Sequence, residues 1–184
     1  MSKSDYRLNR RQFLHGLTMT AGSVTLLSPW QNLLASADSR TLSFYHTHTG
    51  ERLKLSYFED GQYHADALDE FNHFLRDHRT GEVYSMDLQL IDILSAIGNV
   101  TESQGTFEII SAYRSPKTNK ALRQQGGGVA KRSLHMQGRA LDIRLTDVRT
   151  ADLRKAALAM KSGGVGYYPK SNFIHLDNGR VRFW

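Results

Sequence analysis

The chain has no cysteine among its 184 residues. No disulfide framework can hold it, so the core or a bound metal must, and any metal site has to be built from His, Asp or Glu. A domain of this length buries enough apolar surface to stand without staples. Long apolar runs are missing too. The mildly apolar stretch over residues 16–27 is interrupted by Thr18, Thr20, Ser23 and Thr25, and is too short and too polar to span a bilayer. Gly126-Gly127-Gly128 lacks the Gly-Lys-Ser/Thr ending of a phosphate loop, which argues against nucleotide binding. Internal repeats, low-complexity segments and signs of a second domain are absent. Basic residues are scattered, with no nucleic-acid-reading motif.

What the sequence does carry begins at its amino end. Asn9-Arg10-Arg11-Gln12-Phe13-Leu14 sets paired arginines before the apolar stretch, and Ala35-Ser36-Ala37 supplies small residues at the spacing of a signal-peptidase site. Together they read as a twin-arginine export signal over residues 1–37, as against a basic amphipathic helix. Cleavage is expected after Ala37, leaving one domain over residues 38–184. The formal charge of +6 comes from 24 Lys+Arg and 18 Asp+Glu. Lys3, Arg7, Arg10, Arg11 and Asp5 lie in the leader, so the rest keeps 20 basic against 17 acidic residues, or +3. Half of the basicity belongs to the leader and speaks weakly for nucleic acid. A mild positive charge suits an anionic cell-wall substrate.

Residues 41–46 and 52–57 alternate about Thr49-Gly50 and predict a β-hairpin. His46 and His48 are either exposed residues beside its turn or a second metal pair. Leu68, Phe71, Phe74, Leu75 and His78 recur at three-to-four spacing and predict a helix over 63–79, with His73 an ordinary helix residue. Leu90, Leu94 and Ile97 stripe a helix over 86–97 that Gly98-Asn99 would end. A strand over 106–113 reads as buried on both faces. It leads through Arg114 to a helix, Pro116 to Gln124, that Ser115 can cap, because a hydroxyl accepts from first-turn amides and Pro fits the first position. Residues 150–161 predict a helix striped by Leu153, Ala156, Ala157 and Met160. Gly163, Gly164 and Gly166 either let backbone approach a ligand or permit a tight sheet bend, with Tyr167 and Tyr168 as groove-lining candidates.

The chemistry concentrates in Ser133-Leu134-His135-Met136-Gln137-Gly138-Arg139-Ala140-Leu141-Asp142 and Phe173-Ile174-His175-Leu176-Asp177. Both read as strands, with Leu141, Ile143 and Leu145 opposite Asp142, and Ile174 and Leu176 opposite His175. Gly138 permits the bend that brings His135 back over the strand. A ladder would then align Asp142 with His175, so that His135, Asp142 and His175 hold one Zn²⁺ with an open position for water. The competing reading is a surface His–Asp pair. Arg114 offers a guanidinium fork to orient substrate or stabilise an oxyanion, as against a surface salt bridge. Asp177 either takes a proton in the reaction or accepts from a ligand imidazole and fixes its tautomer.

Ser111-Ala112-Tyr113-Arg114-Ser115, Ser133-x-His135-x-x-Gly138-x-Ala140-x-Asp142 and Gly164-Val165-Gly166-Tyr167-Tyr168 to Phe173-x-His175-x-Asp177 resemble zinc peptidases of the D-Ala-D-Ala carboxypeptidase and hedgehog-like group, most closely its murein endopeptidases. The resemblance implies an α+β fold with a small antiparallel sheet and flanking helices, one catalytic Zn²⁺ on His135, Asp142 and His175, and a substrate-polarising Arg114. It implies a periplasmic monomer acting on peptidoglycan crosslinks, preferring those that join two diaminopimelate residues, with Tyr113, Ser133, Tyr167 and Tyr168 lining the substrate. There are departures. The dipeptidase branch carries a general-base Glu three residues before the last ligand, where this chain has Asn172. Another branch has a His two residues before it, where this chain has Phe173. The base is therefore open, and two rival functions stand beside the endopeptidase: a zinc-stabilised module that binds peptidoglycan without cutting it, and a carboxypeptidase whose Arg114 holds a terminal carboxylate.

Overall fold

The computed structural model describes residues 38–126 and 128–184, together with Gln31 and Leu34. The expected twin-arginine leader and cleavage site therefore lie almost wholly outside the described residues. Leu34 is buried against the core, and its carbonyl accepts from Arg40 Nη2 at 3.2 Å. Cleavage after Ala37 would remove both contacts.

The predicted hairpin is present as β1, Ser39–His46, and β2, Arg52–Glu59, with Leu42 opposite Leu55 and Phe44 opposite Leu53. Its alternation is a burial pattern: Leu42, Phe44, Leu53, Leu55 and Tyr57 point into the core. Gly50 takes the positive φ of +76° that closes the turn. A two-residue strand β3, Gln62–Tyr63, pairs with β2. Helix α1, Ala65–Phe74, is shorter than its apolar stripe predicts. The Asp77 carbonyl accepts from the Thr80 and Gly81 amides and so closes a separate turn. His78 sits in that turn, outside the helix.

Helix α2, Leu88–Thr101, starts at an Asp87 cap that accepts from the Gln89 amide and runs through Gly98 and Asn99. The expected stop fails because helical backbone there needs no positive φ. The break comes at Glu102, at +51°, after Thr101 Oγ1 has donated back to the Ile97 carbonyl. Strand β4, Phe107–Ser111, leads to α3, Pro116–Gln124, whose N-cap Ser115 accepts from the Thr118 amide as expected. A 3₁₀ turn, Leu134–Gln137, precedes β5, Ala140–Leu145. Then come α4, Thr150–Met160, β6, Gly164–Tyr168, a second 3₁₀ turn, Pro169–Ser171, β7, Phe173–Asp177, and β8, Arg182–Phe183.

The α+β class holds, but the sheet is neither small nor purely antiparallel. Eight strands lie in the order β3-β2-β1-β4-β5-β7-β6-β8, with β1/β4 and β6/β8 parallel. The crossover through α1 and α2 brings β4 in alongside β1 in the same direction, which a hairpin cannot do. Ile109, Leu141, Ile143, Ile174 and Leu176 bury one face of the central strands, and α4 packs against β5, β6 and β7. The opposite face is polar. Strand β4 is therefore buried on one face only; Glu108 on the other pairs with Arg144 of β5.

One buried ion pair ties the hairpin to α2. Arg40 Nη1 donates to Asp92 Oδ1 at 2.8 Å, and the Tyr57 and Tyr63 hydroxyls donate to the same carboxylate at 3.0 and 2.6 Å. Asp92→Ala strands a buried guanidinium and two hydroxyls, and is expected to cost about 3–5 kcal/mol. Urea unfolding checks this; a loss under about 1 kcal/mol would show that the pair contributes little.

Candidate metal centre

Strand register builds the site. On the polar face of the central strands, β5 pairs with β7 so that Asp142 lies directly opposite His175. The aliphatic residues on either side of Asp142 fix this register, since a one-residue slip would turn the whole buried set to solvent. His135 arrives from the 3₁₀ turn. Gly138 closes that turn at φ +65°, and a Cβ there would meet the Ser85 carbonyl oxygen at 2.3 Å, so only glycine fits.

Three atoms converge. His135 Nε2 lies 3.3 Å from His175 Nδ1 and 3.4 Å from Asp142 Oδ1, which is 2.9 Å from His175 Nδ1. The tautomers follow from the outer partners. His135 Nδ1 is 2.7 Å from the Ala112 carbonyl, which can only accept, so Nδ1 carries the proton and Nε2 a lone pair. His175 Nε2 is 2.9 Å from Asp177 Oδ2 and donates to it, so Nδ1 turns its lone pair inward. Two lone pairs and a carboxylate oxygen at such range repel unless a positive charge sits among them. Ligands about 2.0–2.1 Å from a tetrahedral zinc stand roughly 3.3 Å apart; the two separations from His135, 3.3 and 3.4 Å, match this, and that between Asp142 and His175, 2.9 Å, is shorter. Burial opposes charge on His175, but the Asp142 and Asp177 carboxylates outweigh it and raise its pKa. Burial likewise works against the Asp142 carboxylate, and the two imidazoles still hold its pKa well below the usual range.

Arg114 stands beside this cluster. Its side chain is 12% exposed and Nη2 is 3.9 Å from Asp142 Oδ2. The remaining contacts are long, 3.3 Å to Ser111 Oγ and 3.5 Å to Asn119 Oδ1, and Nε is buried with no partner. The surface-salt-bridge reading does not describe such a group. Buried Asp77 anchors the turn that presents it: the Ser115 amide donates to Asp77 Oδ2 at 2.9 Å, and the Arg114 amide donates to the His135 carbonyl at 3.1 Å.

Asp177 stands behind His175, fully buried. Its Oδ1 accepts from the Gly164 and Gly179 amides and from Arg182 Nη1, and its Oδ2 from His175 and Arg182 Nη2. The tyrosines divide. Tyr168 pairs with Phe173 in the ladder and stacks on its ring at 4.6 Å, on the face that carries His175. Tyr167 points the other way, partly buried against the core with Arg154 over its ring. Tyr113 is buried, stacks on exposed Tyr84 and donates its hydroxyl to Glu82 Oε1 at 2.7 Å. Ser133 is buried at the start of the 3₁₀ turn. Asn172 adopts αL backbone at φ +53° and accepts a short hydrogen bond from Thr150 Oγ1 of α4.

Sequence reasoning passed over two residues. Trp184 lies 5.3 Å from the His175 ring and donates from Nε1 to the Tyr168 hydroxyl at 2.9 Å, and Arg182 lies over its indole. The alternation in Val181-Arg182-Phe183-Trp184 was the available signal, but two residues of strand are too short to stand out. Gly163, Gly164 and Gly166 serve the protein's own packing: a Cβ at each would strike the Asp177 carbonyl oxygen, Arg182 with Asp177, or the Trp184 ring.

Two imidazoles and one carboxylate, with Arg114 at their side, could hold a metal ion and suit a metallopeptidase. A peptidase family model described as peptidoglycan L,D-endopeptidase MepK matches residues 34–184, and the chain belongs to this family. It is 39% identical over 176 residues to peptidoglycan L,D-endopeptidase MepK of Escherichia coli, covering 96% of this chain and 97% of that one. The same identity and coverage hold for the protein of that name from Shigella flexneri. The probable peptidoglycan L,D-endopeptidase MepK of Haemophilus influenzae is 35% identical over 177 residues, 96% of this chain and 95% of its own.

Among the described residues no other group of three such donors converges. His46 is buried, not exposed beside the turn, and its Nδ1 accepts from the His48 and Thr49 amides. His48 stacks on His78 at 4.2 Å. Burial, aided by neighbouring cationic groups, pushes the His46 and His78 imidazoles down to about 4. An unfolded imidazole titrates near about 6.5. Between those values the unfolded chain binds more protons than the folded one, so stability rises with pH through that window. Urea midpoints should fall as the pH is lowered from about 6.5 to about 4, and fall less steeply in His46→Asn; an equal slope in the variant would contradict this.

Proposed function

We propose that this chain is a zinc-dependent murein endopeptidase that hydrolyses peptide crosslinks of peptidoglycan, preferring those between two diaminopimelate residues. The observation that carries the reading is the convergence of His135 Nε2, Asp142 Oδ1 and His175 Nδ1 with both tautomers fixed from outside. The names of the relatives support the substrate class. The expected leader supports export by the twin-arginine route, cleavage after Ala37 and a periplasmic domain over residues 38–184, which we take to act as a monomer. No helix among the described residues is long and apolar enough to cross a membrane.

Bound by His135, Asp142 and His175, zinc would supply a Lewis acid and a water of lowered pKa. The protein's own groups do the rest. Arg114, with a buried unpartnered Nε and only loosely held Nη groups, is free to take the negative charge that develops on the scissile carbonyl oxygen. Asp177 acts by holding His175: its oxygens are already filled and it lies on the far side of the ring, which favours the orienting role over proton acceptance. Tyr168 and Trp184 line the β6 side of the site for the peptide. Ser133 and Tyr113 act through the 3₁₀ turn and the Glu82 contact, and Tyr167 through packing.

Asn172 in place of the dipeptidase-type Glu favours a second reading, a module that binds peptidoglycan without cutting it. Liquid chromatography of digested sacculi separates the two. The endopeptidase releases monomeric from dimeric muropeptides, stops with chelator, recovers with zinc and is lost in His135→Ala. Arg114→Lys should lower kcat/KM by about 10²–10³-fold. Retention on sacculi with no new products establishes the binding module, and trimming of monomeric muropeptides alone establishes a carboxypeptidase.

A further inference from the structure

We propose that Arg182, on the last strand, is a positioning residue of the metal centre. Acting through Asp177, its guanidinium fork holds the His175 imidazole in the tautomer and orientation that turn Nδ1 toward the cation. This rests on the metal reading above.

The two oxygens of Asp177 are served differently. Oδ1 has three donors, the Gly164 and Gly179 amides at 3.0 and 2.9 Å and Arg182 Nη1 at 3.0 Å. Oδ2, the atom that accepts from His175 Nε2 at 2.9 Å, is otherwise contacted by Arg182 Nη2 at 2.6 Å. Backbone therefore anchors one oxygen, and Arg182 fixes the other, which stops the carboxylate rotating about its Cβ–Cγ bond and sliding off the imidazole. A planar fork does this; a lysine ammonium makes one contact.

The surrounding fold makes room for that fork. Strand β8 pairs parallel with β6, setting Arg182 opposite Gly164. A Cβ at Gly164 would come within 2.5 Å of both Arg182 Nη1 and Asp177 Oδ2. Arg182 also lies 5.1 Å from the Trp184 ring centre, and Trp184 in turn packs against His175. The arginine touches two groups that border the last ligand and touches none of the three ligands itself. Its side chain is 32% exposed, so substitution opens no cavity in the core, although it takes two donors from buried Asp177.

The test is zinc affinity of the folded chain, by competition with a chromophoric chelator, in wild type, Arg182→Lys, Arg182→Gln, Asp177→Asn and the Arg182→Gln/Asp177→Asn double variant. Arg182→Gln is expected to weaken zinc binding about 10–100-fold, and Arg182→Lys less. The double variant should bind as Asp177→Asn does, because the arginine acts through that carboxylate. Long-range ¹H–¹⁵N spectra should show the single Nε2-H tautomer of His175 in zinc-loaded wild type and its loss in Arg182→Gln. A merely structural arginine would lower the melting temperature and move neither the affinity nor the tautomer. Wild-type affinity in Arg182→Gln, or a full further loss in the double variant, overturns the inference alone. Wild type that takes up no zinc, or binds it as well after His135→Ala, overturns the metal reading and the inference with it.

Discussion

The cross-strand pair of Asp142 and His175 is the constraint on which the site depends. Two side chains directly opposite on one face of an antiparallel ladder have Cβ atoms about 5 Å apart. That suffices to share a small cation but not to reach one if the strands slip. What prevents slippage is on the other side of the sheet. Leu141, Ile143, Ile174 and Leu176 are wholly buried there, so the hydrophobic effect that folds the domain also sets the distance between Asp142 and His175.

Around this pair the outer contacts come from different parts of the chain. The Ala112 carbonyl at the exit of β4 orients His135, Asp177 at the end of β7 orients His175, and the Asp77 turn after α1 holds the segment that presents Arg114. The two imidazoles are thus each held from behind, one by a backbone carbonyl and one by a carboxylate. Polar groups buried this deeply are costly unless paired. The pairing is nearly complete at Asp177 and incomplete at Arg114.

Much of this was legible in the sequence because it rests on local periodicity. Alternation located β1, β2, β5 and β7, and the side-chain period of two put Asp142 and His175 opposite their aliphatic neighbours. Ser115-Pro116 marked the start of α3 by capping chemistry alone. Other features depend on partners far along the chain. Nothing in the stripe of α1 reveals that Asp77 will leave the helix to serve Ser115, and Gly98-Asn99 resembles a stop until the buried face of α2 carries the helix past it. The parallel pairings follow from crossovers that no local pattern encodes. Arg182 and Trp184 escaped for a similar reason: their meaning lies in Gly164 and Gly166, some eighteen residues earlier, which leave the space they fill. The choice between ligand approach and sheet packing for those glycines was open until the neighbours were seen.

Strand β6 works as a mould as much as a strand. Where it passes the centre it offers backbone, and the contours of Asp177, Arg182 and Trp184 are cast against it at separations that no side chain would allow. Sites of this kind carry a hidden form of sequence constraint. The residues least free to vary include three with no functional group, and a methyl added at any of them would displace Asp177, Arg182 or Trp184, the groups that border His175, although it reacts with nothing.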